Sequence, residues 1–285
     1  MFGSKVSTGR FRNGLPYNRF GQGPRVAIVF QGLLFENRPL TGFSAYVMTR
    51  MYRFLEAGYR TYIVTRKPGL PEGYSMQDMA NDYAEMIKEE FGGPVDVIGV
   101  STGGSIAQHF AADHPQLVRR LVLHSSAFTL REEAKRAQMR VGQLARERRW
   151  RAAYAALMDL SFPRKGIWKY LIRPFLWLGS LFGGVFFGVP EDPADLVITI
   201  EAEDKHDFKE RLAQIKAPTL VVGGDKDPFY TEALFHKTAE GIPNAKLIVY
   251  KGMGHPASGK QFGQDVIKFL NEKPAEHACV KAGLR

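Results

Sequence analysis

The chain has 285 residues, 45% of them apolar, a formal net charge of +10 and a single cysteine, Cys279. That length and apolar share suffice for a sizeable core in one or two domains, while one cysteine excludes both an intrachain disulfide framework and a cysteine-bound zinc cluster. The start, Met1 to Lys5, has no apolar run behind its basic residue and does not read as a signal peptide, so a cytoplasmic protein is expected.

Residues 5–30 read as a short hairpin leading into a first central strand, Val26 to Phe30, with Asn13-Gly14 and Gly21-Gln22-Gly23-Pro24 as turn signals. A helix near 43–57 and a strand from Arg60 to Thr65 follow. Ser75 is placed to cap the next helix, on which Met76, Met79, Ala80, Tyr83 and Ile87 share one apolar face. A core stripe accounts for those methionines without a binding role. Pro94 to Val100 is short, β-branched and preceded by two glycines, as a buried parallel strand would be. From Thr102 the pattern turns helical, with Ile106, Ala107, Phe110 and Ala111 on one side and a stop near His114-Pro115. Leu117 to His124 reads as the next strand, Ala217 to Gly223 and Ala245 to Tyr250 as later ones, and Glu232 to Glu240 and Gln261 to Leu270 as the late helices. This alternation predicts an α/β fold, a mostly parallel central sheet with helices on both faces, built from residues 1–126 and 210–285.

Residues 127–209 break the alternation and read as an inserted helical cap. From Arg131 to Arg173 there are twelve Lys and Arg against four Asp and Glu, so the basic surplus is largely local. Trp150, Ala153, Tyr154, Leu157 and Met158 form an apolar face beside Arg146, Arg148, Arg149 and Arg151. The run from Phe175 to Val189 is too short and too glycine-rich for a membrane span. Three readings stand side by side: a solvated basic face, an apolar roof whose arginines attract an anionic substrate, and peripheral contact with an anionic membrane. No nucleic-acid-binding motif accompanies the charge.

Gly99-Val100-Ser101-Thr102-Gly103 fits G-x-S-x-G between a strand and a helix, where a sharp turn lifts the serine hydroxyl clear of the sheet. The plainer reading is a Gly/Ser turn without chemistry. A serine needs a base and a carboxylate to orient that base. Asp227, after the strand that ends at Gly223, is the expected acid, with Asp225 as the alternative in the same turn. His255, after the last strand, is the expected base. None of the six other histidines directly follows the last strand, and His206, His236 and His277 lie in polar helical or tail sequence. Two backbone N–H groups should form an oxyanion hole, those of Thr102 and, after Gln31-Gly32, of Leu33.

Together, Gln31-Gly32, the turn around Ser101, Gly224 to Asp227 and Gly252 to His255 resemble the α/β-hydrolase superfamily, over residues 20–125 and 210–272. Many members carry His-Gly where this chain has Gln31-Gly32. The resemblance implies a serine hydrolase that needs no cofactor or metal and cleaves an ester or related acyl bond of a mainly apolar small-to-medium substrate through an acyl-enzyme; the aromatic residues of the cap, Trp177 and Phe182 among them, are placed to roof a site at the C-terminal edge of the sheet. A ligand receptor that retains the triad, or a protein binding lipid or a membrane surface, is the alternative. Oligomeric state is not legible.

Overall fold

A computed structural model describes residues 6–161 and 190–272. Among them, strands β1 (Ser7–Arg10), β2 (Pro16–Phe20), β3 (Arg25–Phe30), β4 (Tyr59–Val64), β5 (Val95–Val100), β6 (Val118–His124), β7 (Thr219–Gly224) and β8 (Ala245–Tyr250) form one sheet in the order β1-β2-β4-β3-β5-β6-β7-β8. β1 pairs antiparallel with β2, and β2 with β4; every other neighbour is parallel. All six residues of β5 are buried, as in a strand covered on both faces.

Helices α1 (Gly42–Tyr52), α2 (Met76–Phe91), α3 (Thr102–Asp113), α4 (Glu132–Arg146), α5 (Trp150–Ser161), α6 (Ala194–Asp204), α7 (Glu232–Gly241) and α8 (Lys260–Asn271) complete the described elements. One sheet face packs on Met79 and Ile87 of α2, Ile106 and Phe110 of α3 and Phe235 of α7. The other packs on Tyr52 of α1 and Phe262, Val266 and Phe269 of α8. The start of α2 shows how local sequence fixes an element: the Ser75 hydroxyl accepts from Asp78 N while the Asp78 carboxylate accepts from Ser75 N, a capping box that satisfies two otherwise orphaned donors. The α1 helix is shorter than its sequence pattern suggests. After Tyr52 it tightens into a 3-10 turn over Arg53–Leu55, with Glu56 N and Gly58 N closing three-residue bonds to Arg53 O and Leu55 O, which turns the chain early enough to bury Leu55 and Tyr59.

β3 is followed in the sheet by β4 on one side and β5 on the other. The loops leaving β3 and β5 therefore flank the crevice at which an open α/β sheet places its ligands. Over that edge lie α4, α5 and α6, which bury Val141, Leu144, Ala145, Ala153, Tyr154, Leu196, Val197 and Ile200 in a cluster of their own. Phe35, from the loop after β3, inserts into that cluster with its ring 4.5 Å from Tyr154. Arg146, Arg148, Arg149 and Arg151 are exposed. Arg146 pairs with Glu201 and Arg149 with Glu147, so part of this basic face is neutralised by neighbours of the same segment. Trp177 and Phe182 lie outside the described residues, as does Cys279. No helix among the described residues is long and apolar enough to cross a membrane.

Candidate active site

Ser101 occupies the turn between β5 and α3 with φ 53° and ψ −127°, a conformation that costs a non-glycine residue energy and persists only where packing enforces it. Its neighbours supply the enforcement. A Cβ on Gly103 would lie 2.0 Å from Phe30 O, and one on Gly99 would lie 2.6 Å from Gly104 Cα, so strand and helix approach closely only because both positions lack side chains. Ser101 N donates to His124 O at 3.0 Å, and Gly104 N donates to Ser101 O at 2.7 Å.

His255, past β8, donates from Nδ1 to Oδ2 of Asp227, past β7, at 2.8 Å. The Asp227 side chain is fully buried, and its Oδ1 accepts from Phe229 N at 2.8 Å and Tyr230 N at 3.1 Å. A carboxylate held this way only accepts, which assigns the proton to Nδ1 and leaves Nε2 as an acceptor. The alternative acid does something else: Asp225 Oδ1 accepts from Gly252 N at 2.6 Å, tying the turn after β7 to the loop that leads to His255. Ser101 and His255 share no hydrogen bond among the described residues; in unliganded enzymes such contacts are commonly open and tighten around substrate.

The loop carrying His255 is pinned by the end of β6. His124 Nε2 donates to Ala257 O at 2.5 Å, its Nδ1 accepts from Tyr52 Oη at 2.8 Å, and Ser125 Oγ accepts from Ala257 N at 3.0 Å. Burial lowers the His124 pKa to about 3. His206, which the sequence places in polar helical surroundings, is instead buried against His109, with their ring nitrogens 3.3 Å apart. Burial brings these two to about 3 and about 4. All three stay neutral in the fold, whereas the unfolded chain takes up protons near 6.5. Their contribution to stability is therefore complete above pH 6.5 and is lost progressively as pH falls toward 4. Thermal unfolding followed from pH 7.5 to 4 should show that decline, and His206→Phe should flatten it.

Two buried charges escaped the sequence pattern. Arg66, two residues past β4, donates from Nη1 to Gln31 O and Gly32 O, both at 3.1 Å. Glu203 of α6 accepts from Thr102 Oγ1 at 2.6 Å and Ser105 Oγ at 3.2 Å, and burial raises its carboxyl pKa despite those bonds. Arg66 left a weak trace, a cation between a buried strand and the edge where sites form. Glu203 left none, being one acid among several on its helix. At the other side of the turn, a Cβ on Gly32 would be 3.3 Å from Ser101 Cβ. The Leu33 N–H enters no hydrogen bond among the described residues, and Thr102, as the first residue of α3, has an N–H without an intrahelical acceptor. No group of three or more His, Cys, Asp or Glu among the described residues is arranged to hold a metal ion.

The comparisons with known proteins agree with this architecture. A family model for the alpha/beta hydrolase fold matches residues 60–259. A 2-hydroxy-6-oxononadienedioate/2-hydroxy-6-oxononatrienedioate hydrolase of Pseudomonas sp is 24% identical over 93% of this chain and 94% of its own. An alpha/beta hydrolase enzyme from a Medee basin deep-sea metagenome library superposes with a TM-score of 0.76 at 16% identity, over 95% of this chain and all of that one. The enol-lactonase of Burkholderia xenovorans LB400 gives a TM-score of 0.72 at 19% identity, over 93% of this chain and all of that one. At such identities the structural likeness speaks for the fold.

Proposed function

The chain is a hydrolase of the alpha/beta hydrolase fold family, and on that premise we propose that it works as a serine hydrolase through Ser101, His255 and Asp227. The observation that carries this reading is the Asp227–His255 pair, 2.8 Å apart and aimed by its tautomer, at the same sheet edge as a serine held at φ 53°. His255 Nε2 takes the Ser101 proton as the oxygen attacks a substrate carbonyl, and Asp227 stabilises the imidazolium that forms. The N–H groups of Thr102 and Leu33 receive the negative charge that develops on the carbonyl oxygen. The histidine then protonates the leaving group, activates a water, and the acyl-enzyme is hydrolysed. The substrate class is an ester or related acyl compound of small to medium size and mainly apolar character, a reading supported by the apolar cluster that α4 to α6 build with Phe35 of the loop after β3.

A fluorophosphonate probe, followed by peptide mapping, tests the assignment on the intact protein. Label on Ser101 alone, slowed when a substrate ester is present at saturation during labelling, is the expected outcome. Label elsewhere, or none in a protein that hydrolyses esters, overturns it.

A further inference from the structure

We propose that Arg66 is a positioning residue for the oxyanion hole: by holding the carbonyls of Gln31 and Gly32 it aims the Leu33 N–H at the oxygen of a carbonyl bound at Ser101. The inference rests on the serine-hydrolase reading above and names the part of the site that replaces the usual His-Gly arrangement. The Gly32–Leu33 peptide is trans, the one cis bond among the described residues being His255–Pro256. In a planar trans peptide the C=O and the N–H point in opposite directions. A donor that fixes the Gly32 carbonyl therefore fixes the direction of the Leu33 N–H.

Arg66 is built for that task and for little else in its surroundings. Its side chain is 1% exposed, and Nη1 alone makes both bonds, at 3.1 Å each. Nε and Nη2 have no hydrogen-bond partner among the described residues. Burying a guanidinium with most of its donors unused costs stability, and burial lowers its pKa. The loop it grips is also anchored from the sheet, since Gln31 N donates to Val64 O at 3.0 Å. Val64 ends β4, and Arg66 lies two residues beyond. One strand end thus holds the oxyanion loop by a backbone bond and by a charged side chain. A cation on the carbonyl also polarises the peptide, which strengthens its N–H as a donor. The free Leu33 N–H, in the residue next to the glycine facing Ser101, is the group that receives the benefit.

Arg66→Met, Arg66→Gln and Arg66→Lys test this, with kcat, KM and the affinity of a boronic acid that forms a tetrahedral adduct on serine measured per active site, as titrated with the fluorophosphonate. Removing the grip should lower kcat about 100-fold, the cost of one lost oxyanion donor, with KM changed by less than about threefold and boronate affinity falling in step with kcat. Arg66→Lys, whose ammonium extends one atom less than Nη1 but still donates, should recover part of both losses, and Arg66→Gln, two atoms shorter, should recover little. A merely structural arginine would lower the melting temperature and the fraction of titratable sites while leaving kcat per site and boronate affinity at the wild-type values, and that result overturns the proposal. If Arg66→Met does not fold, the Gln and Lys variants read the same division. A wild-type protein that the fluorophosphonate does not label on Ser101 overturns the hydrolase reading and this proposal with it. A labelled wild type beside unchanged variants overturns this proposal alone.

Discussion

Replacing Ser101 with alanine should lower kcat for an activated ester by about 10⁴- to 10⁶-fold while the protein stays folded, because the members of such a unit fail together. The fold has little reason to notice. Ser101 contributes its backbone to the bonds with His124 and Gly104, and alanine pays nearly the same conformational cost as serine at φ 53°. Steady-state kinetics beside thermal unfolding separate the two effects. A variant that keeps its activity shows that another nucleophile does the chemistry.

Asp227→Asn should cost about 10⁴-fold in kcat, and Asp225→Asn less than about a tenth of that loss in logarithmic terms. In the first variant Oδ1 still accepts from Phe229 N and Tyr230 N, so the loop keeps its shape. The atom facing His255 Nδ1, at 2.8 Å, becomes an amide nitrogen that only donates. That drives the imidazole proton to Nε2, the position that must be empty to take the serine proton. Asp225 faces Gly252 N, and an asparagine Oδ1 accepts that bond equally well. The reverse ranking of the two variants would transfer the acid's role to Asp225.

The frame of the fold was legible because its signals are local. Buried strands such as Val95–Val100 are apolar but for Asp96, the α2 stripe and its Ser75 cap carry the helical period and a start signal, and Gly99 and Gly103 mark where strand and helix meet. The positions of Ser101, Asp227 and His255 at strand ends follow from the same signals. What sequence could not reveal depends on contacts between distant segments. Arg66 reaches the carbonyls of residues 31 and 32, and Glu203 reaches hydroxyls about a hundred residues earlier in the chain; neither pairing has a period or a spacing. His206 misleads for the same reason, since its polar sequence neighbours conceal a buried contact with His109. The sequence prefers Asp227 to Asp225 in the same turn, and the partners that separate them, His255 Nδ1 and Gly252 N, come from the loop after β8.

Phe35 bears on how this enzyme can be rebuilt. Its ring is part of the apolar cluster of α4, α5 and α6, while Gly32, three residues earlier, rests against Ser101. Helices α4, α5 and α6 are thus not a detachable module: their apolar cluster is completed by a side chain from the loop that also carries Gly32. A chimera that imports residues 127–209 from a relative would need to import the stretch from Leu33 to Phe35 as well, or the foreign helices would meet a phenylalanine shaped for different partners, and the misfit would reach the serine within three residues of backbone.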